Sequence, residues 1–319
     1  MGARVTPGVA IVRPFEPADG EAAASVLRAV LPYEPVTAAR LRQYHACAPS
    51  RIEERRWVLE RDGRLLGWAS AGLHLWTGDA RTGSVFVGIH PSARRQGLGA
   101  RMFAVAEDHL RALRPRRVET GAYGPAPDTQ RFLEGRSFSR VRQAQVWTLD
   151  PARADLGDLP LRERRAAEAG FRVASLRAFA DRPEAMHSLY SDTLRDVPAD
   201  AAFTEVRFEE FLCYRLLDPM LSHDGSVVVV EGDHPVAYAW LTTDGRGLGF
   251  NAMTGTLPSH RHRGLAKLAK AASIQRARDA GVRVLYTSND FTNSDMLGLN
   301  RSLGYEPIGV WETFARAGD

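Results

Sequence analysis

Apolar positions along this chain form short alternating runs broken by Gly- and Asp-containing turns, and a few longer stretches with helical spacing. In the first half, Ile11–Pro14 begins a strand, and Glu21–Leu31 and Ala38–Tyr44 read as short helices. Trp57–Glu60 and Leu65–Leu75 predict a hairpin around Asp62-Gly63, a pair that accepts the positive φ of a tight turn. Ser84–Ile89 follows as a strand. From Gly97 to Leu113, the residues Leu98, Met102, Ala106, Leu110 and Leu113 share one helical face. Pro115 stops that helix, and Arg117–Tyr123 is the next strand. The second half shows strands at Val227–Glu231, Pro235–Thr243 and Leu248–Thr256, then a helix over Leu265–Ala280 ended by Gly281, then a strand at Val282–Thr287. Between the halves, Asp150–Gly170 is rich in Pro, Gly, Ala and charge, with a short helix at Leu161–Ala169. Antiparallel strands around a strand–turn–helix–strand unit predict an α/β fold with a mixed, mainly antiparallel sheet flanked by helices.

The two halves are copies. Val87-Gly88-Ile89-His90-Pro91-Ser92-Ala93-Arg94-Arg95-Gln96-Gly97-Leu98-Gly99 aligns without a gap on Thr254-Gly255-Thr256-Leu257-Pro258-Ser259-His260-Arg261-His262-Arg263-Gly264-Leu265-Ala266. The same offset carries Phe138 onto Tyr305 and Arg116-Arg117-Val118 onto Arg283-Val284-Leu285. A repeat of this length is a whole folding unit, so the expectation is two tandem domains, 1–155 and 156–319, with the boundary inside the Pro/Gly-rich segment.

The repeated turn has a chemistry of its own. A strand running through a glycine-interrupted turn into a helix gathers unpaired backbone N–H groups at the positive end of the helix dipole, where an anion is held. Gly97 and Gly99, or Gly264 and Ala266, keep side chains out of the way of a phosphate, and Arg94, Arg95, Arg261, His262 and Arg263 flank it.

Arg94-x-x-Gly97-x-Gly99 and Arg261-x-x-Gly264-x-Ala266 resemble the pyrophosphate motif of the GCN5-related N-acetyltransferase family, Q/R-x-x-G-x-G/A. The segment from Asn293 to Tyr305 resembles its second hallmark, N-x-x-A-x-x-L-Y-x-x-L-G-F. The resemblance spans roughly Ile11 to Leu149 and Phe171 to Phe314. It implies two tandem GNAT-like domains and acetyl-CoA as cosubstrate, with Val87, Ile89, Arg94, Arg95, Gln96, Gly97, Leu98 and Gly99 holding cofactor in the first. In the second it implies that Arg261, His262, Arg263, Gly264, Leu265 and Ala266 hold the pyrophosphate. Met253, Thr254 and Thr256 would hold the pantetheine and thioester carbonyl through their backbone, with Asn289 and Asn293 near the sulfur.

The copies differ at the acyl end. Asn289, Asn293 and Asn300 of the second face Ala122, Ala126 and Leu133 in the first, which points to the second as the catalytic half. Where the family has a tyrosine that protonates the leaving thiolate, this chain has Asn300, an amide with no useful pKa. Tyr238, Asn251 and Thr254 are candidates for handling the proton of the attacking amine, the last two through an ordered water. His260, His262, the pair His223-Asp224, and Glu205, Glu209 and Glu210 are further polar groups near the expected cleft.

The remaining properties narrow the class. With 44% hydrophobic and 25% charged residues and mean hydropathy −0.27, the chain reads as an ordinary soluble protein, and no apolar run approaches the ~18 residues of a membrane span. A loose myristoylation pattern at Gly2–Thr6 has no polybasic second anchor. The net charge of +4 comes almost wholly from arginine, Lys267 and Lys270 being the only lysines, with no basic stripe and interleaved aromatics for nucleic acid. Cys47 and Cys213 offer no metal spacing and read as separate reduced thiols in a cytoplasmic setting. The expectation is therefore a metal-free acyltransferase, monomeric or homodimeric, moving acetyl from acetyl-CoA to a primary amine of a small molecule by direct attack. The alternative is a non-catalytic acyl-CoA-binding protein.

Overall fold

The computed structural model describes residues 8–75, 81–124, 127–195, 197–198 and 206–318. The chain forms two compact units, Met1–Val141 with Glu312–Asp319, and Arg142–Trp311. The division is not the single cut near residue 155 that the linker composition suggests. It falls inside two strands, because the strand that ends each half of the sequence joins the other half's unit.

In the first unit the order is β1 (Ile11–Pro14), α1 (Gly20–Val30), α2 (Ala38–Ala46), β2 (Arg55–Arg61), β3 (Arg64–Leu73), β4 (Thr82–Ile89), α3 (Leu98–Leu113), β5 (Arg117–Tyr123) and α4 (Pro127–Glu134). The β2–β3 turn has φ of 52° at Asp62 and 72° at Gly63, the positive pair expected of Asp-Gly. The strands lie in the order β1-β2-β3-β4-β5, antiparallel except for β4 with β5. The last residues of the chain close this unit: Gly318 N–H donates to the Arg116 carbonyl (2.7 Å), Arg316 pairs with Glu107 (2.8 Å), and Phe314 joins the core with Phe103 and Phe138.

β6 (Ser139–Leu149) opens the second unit. There follow α5 (Leu159–Glu168), β7 (Phe171–Ser175), α6 (Pro183–Leu194), α7 (Phe208–Phe211) running into a π-turn over Leu212–Leu216, β8 (Val227–Glu231), β9 (His234–Thr243), β10 (Leu248–Thr256), α8 (Leu265–Asp279), β11 (Val284–Asp290), α9 (Ser294–Ser302) and β12 (Glu306–Ala317). The order is β6-β11-β10-β9-β8-β7, and only β10 with β11 is parallel. β6 pairs antiparallel with β11 from Leu149↔Leu285 to Ala144↔Asp290. One face of this sheet packs on α8 through Val227, Val229, Ala237, Ala239, Leu241 and Leu285.

Among the described residues no helix is long and apolar enough to cross a membrane, and no group of three or more His, Cys, Asp or Glu could hold a metal ion. Neither cysteine is a free thiol; Cys47 and Cys213 are both disulfide-bonded. This corrects the expectation of reduced thiols, so the thiols no longer argue for a cytoplasmic setting. The myristoylation pattern at Gly2–Thr6, Ala126 and Glu205 lie outside the described residues.

Candidate active site

In each unit the two parallel strands pair for three residues and then part. β10 and β11 are bonded from Leu248↔Val284 to Phe250↔Tyr286, and β4 and β5 from Thr82↔Arg117 to Ser84↔Glu119. Beyond those pairs, Met253, Thr254 and Thr256 continue along β9 alone. A β-bulge between Asn251 and Met253 shifts the register there, and a bulge leaves backbone groups outside the ladder. One edge of β10 therefore offers N–H and C=O groups to a ligand threaded between the strands. Val87 and Ile89 hold the same place on β4, beside β3 and past its last pair with β5.

The turns that follow have the same backbone twice. Arg94 has φ −70°, ψ 164° and Arg261 has φ −69°, ψ 165°. Arg95 and His262 take positive φ of 63° and 61°, and Gly97 and Gly264 take 74° and 76°. Each arginine reaches back to the end of its strand: Arg94 Nε donates to Ile89 O (3.1 Å) and Arg261 Nε to Thr256 O (3.4 Å). The two glycines are helix N-caps that supply no side-chain oxygen, so the first-turn N–H groups of α3 and α8 are left for another acceptor. A Cβ built on either glycine meets nothing within 4 Å, so each turn opens onto free space in front of these N–H groups. Leu98 and Leu265 are buried beneath the turns and anchor them, and Gly99 and Ala266 are half-buried beside them. Arg263 lies over the Phe171 ring at 5.8 Å, while in the first unit Arg95 pairs with Asp128 (3.0 Å) and Gln96 accepts from Arg61 (2.8 Å).

Below the turn, the units diverge. In the second, Lys270 on α8 is 1% exposed, and its Nζ donates to Asn300 Oδ1 at 2.6 Å. Asn300 Nδ2 donates onward to Asn289 Oδ1 at 2.7 Å. The ammonium lies 5.0 Å from the centroid of the Tyr305 ring, whose hydroxyl donates to Asn251 Oδ1. Asn251 Nδ2 reaches Ser273 Oγ (3.4 Å), and Thr287 Oγ1 donates to the Asn251 carbonyl (3.0 Å). Burial, with no counter-charge, pushes the Lys270 amine down to about 7, and burial likewise pushes the Tyr305 phenol up. In the first unit Phe103, Ala106, Ala122, Leu133 and Phe138 stand at the positions of Lys270, Ser273, Asn289, Asn300 and Tyr305, all in one apolar cluster. An apolar core suffices to hold this fold, so the polar set of the second unit is not required for packing.

The sequence candidates separate accordingly. Asn251, Asn289 and Asn300 come together in the network, and Asn293 caps α9 by accepting from Met296 N–H (3.2 Å). Tyr238 does not join them. It is fully buried, shares a 2.9 Å hydrogen bond with Thr193 Oγ1, and burial pushes its phenol up, so it is a core tyrosine rather than a base facing the cleft. His223 and Asp224 form no dyad: His223 bonds the Leu216 carbonyl (3.0 Å), and Asp224 pairs with Arg177, which holds its carboxyl below the usual range. His260 bonds Ser259 (2.8 Å) and Glu231 (3.2 Å). Lys270 went unassigned in the sequence, although it is one of two lysines in an arginine-rich chain and stands between helix positions that read as buried alanines.

This pattern, in each unit a pair of parallel strands that part ahead of a glycine-capped helix, meets an independent match. The sequence model described as the acetyltransferase (GNAT) family fits residues 24–136 and 184–305. The chain belongs to that family. Among solved structures it is similar to a tandem GNAT protein from the clavulanic acid biosynthesis pathway, solved without acetyl-CoA, at TM-score 0.70 and 20% identity over 97% of this chain and 98% of that one. It is also similar to GCN5-related N-acetyltransferases from Sphaerobacter thermophilus (TM-score 0.64, 18% identity, 97% and 95% covered) and Kribbella flavida (0.53, 19%, 80% and 88%). At these identities the likeness is one of fold. No curated protein matches the chain. As a GNAT-family protein it is an acyltransferase of the kind that draws on acetyl-CoA.

Proposed function

We propose that the second unit transfers an acetyl group from acetyl-CoA to a primary amine of a small molecule, and that the first unit holds acyl-CoA without turning it over. The observation that carries this reading is the contrast beneath two matching turns: a buried polar network in one unit, an apolar cluster in the other. The diphosphate sits on the first-turn N–H groups after Gly264, with Arg261, His262 and Arg263 around it. The pantetheine runs along the free edge of β10 at Met253, Thr254 and Thr256. The amine nitrogen forms a bond to the thioester carbon, the C–S bond breaks, and its electron pair leaves with sulfur; the amine proton passes to solvent. A thiol of pKa about 8.5 leaves tolerably as thiolate, so a tyrosine acid at position 300 is dispensable. Neither disulfide-bonded cysteine is needed, and the transfer is direct.

The test is thiol release from acetyl-CoA against a panel of amines, with direct binding of CoA measured alongside. Amine-dependent release is expected. Saturable binding with no release across broad amine classes would refute the transferase reading and leave a binding protein.

A further inference from the structure

A donor-only group at one end of a chain of amides sets the direction of every amide in it. A lysine ammonium has three donors and no acceptor, so the group it bonds must turn an oxygen toward it. Here that group is Asn300, whose oxygen accepts from Lys270 at 2.6 Å. The Asn300 NH2 is thereby aimed at Asn289 and meets its oxygen at 2.7 Å. The Asn289 oxygen being taken, its own NH2 points away from Asn300, and it has no protein partner among the described residues. Asn289 lies on β11 three residues past Tyr286, where the pairing with β10 ends. Strand alternation puts it on the same face as Leu285 and Thr287, the face that packs α8. It is half-buried, at the margin of the opening.

We propose that Lys270 is a positioning residue for the departing sulfur: by fixing the direction of the Asn300–Asn289 pair, it presents the Asn289 side-chain NH2 to the opening between β10 and β11 as a donor to the developing thiolate. This rests on the transferase reading for the second unit. Deprotonation undoes the arrangement, because a neutral amine also accepts a hydrogen bond and lets both amides turn over. The surroundings make the lysine the group that switches. β8 and β9 face α8 with valine, alanine and leucine; α5 contributes Leu159 and Ala166; β10 offers Asn251 and β11 Thr287. Tyr305 is the one titratable side chain in contact with Lys270 among the described residues, and its burial keeps it a neutral phenol. The first unit has Phe103, Ala122 and Leu133 in place of Lys270, Asn289 and Asn300, and so lacks the whole device.

The experiment compares wild type with Lys270→Met in the full chain. The expected result is a fall in kcat of about 10- to 100-fold, less than deleting a direct oxyanion donor costs at the upper end, with KM for acetyl-CoA within about twofold. Wild-type kcat should carry a decline as pH rises through about 7, and the variant should lack it. Asn289→Ala should cost little more in the Lys270→Met background, since both remove the same donor. Unchanged kcat and profile in Lys270→Met, or a full further loss on adding Asn289→Ala, would overturn the proposal. A readout apart from turnover is the Asn289 side-chain amide resonance in CoA-saturated wild type, which should titrate near pH 7. That measurement decides the matter if Lys270→Met does not fold, and also if wild type releases no thiol, in which case the transferase reading fails separately. A resonance that stays still from pH 6 to 9 overturns the assignment.

Discussion

Burying Lys270 without a counter-charge makes the stability of the second unit depend on pH in a direction opposite to that of a salt-bridged carboxylate. In the unfolded chain the amine has the ordinary value of 10.5, and in the folded protein burial brings it down to about 7. Below pH 7 both states hold the proton, and folding bears the full cost of the buried charge. Between about 7 and 10.5 the unfolded state holds more protons than the native one, so stability rises with pH. At 1.36 kcal/mol per pKa unit the whole effect is about 5 kcal/mol, and about 3 kcal/mol of it falls between pH 6 and pH 9. Lys270→Met has no such term. It also leaves the Asn300 oxygen without its donor, at a cost of about 1–3 kcal/mol, but this penalty does not change with pH. Urea denaturation of wild type and Lys270→Met at the two pH values therefore isolates the effect, because every other titrating group cancels in the difference. Wild type should gain about 3 kcal/mol on the variant between pH 6 and 9. Parallel responses, or a wild type that loses ground as pH rises, would refute the buried, uncompensated ammonium.

Gly264→Glu places a carboxylate against the diphosphate site of the second unit and should abolish amine-dependent thiol release, whereas Gly97→Glu should spare most of it; both glycines share positive φ, so the backbone strain of about 1–2 kcal/mol is common to the pair. Equal losses in a thiol-release assay would contradict the assignment of the working unit. Asn300→Leu copies the first unit's Leu133 and leaves Lys270 buried without an acceptor; urea titration should find it about 2–3 kcal/mol less stable at pH 6 and less affected at pH 9, where the amine is neutral. Tyr238→Phe loses the bond to Thr193 and should cost about 1 kcal/mol in denaturation with no change in the pH–rate profile. A displaced profile would restore Tyr238 as a proton acceptor.

Much of the fold was legible because the signals were local. Asp62-Gly63, Pro115 and the helical face from Leu98 to Leu110 each act within a few residues, and the strand–turn–helix unit recurs at a constant offset. The unit boundary was not legible. Its cause is the pairing of β6 with β11 across some 140 residues of chain, and nothing in the composition of Asp150–Gly170 records which strand β6 will join. The amide cluster at Asn289 and Asn300 could be read from the unequal repeat, but its donor could not. Lys270 stands in a helix whose neighbours Ala269, Ala271 and Ala272 are buried, and a lysine in such a run reads as a solvated residue. For Tyr238 the signal is absent for the converse reason: β9 is a continuous apolar run buried on both faces, so its pattern does not show which face Tyr238 takes, nor that Thr193 meets its hydroxyl there.

The two units together bear on why the polar set exists. Duplication starts both copies from one core, and here the apolar version holds a full unit together with Phe103, Leu133 and Phe138. Replacing such a core by a lysine, a phenol and three asparagines is unfavourable unless every group is satisfied. The second unit meets that condition for Asn251, Asn300 and Tyr305, each with a partner at its oxygen, and leaves one donor outward at Asn289. A network built only for stability would end on an internal acceptor. This one ends where β10 and β11 separate, so the energetic cost of the buried lysine is borne at the opening that the proposed function assigns to the thioester.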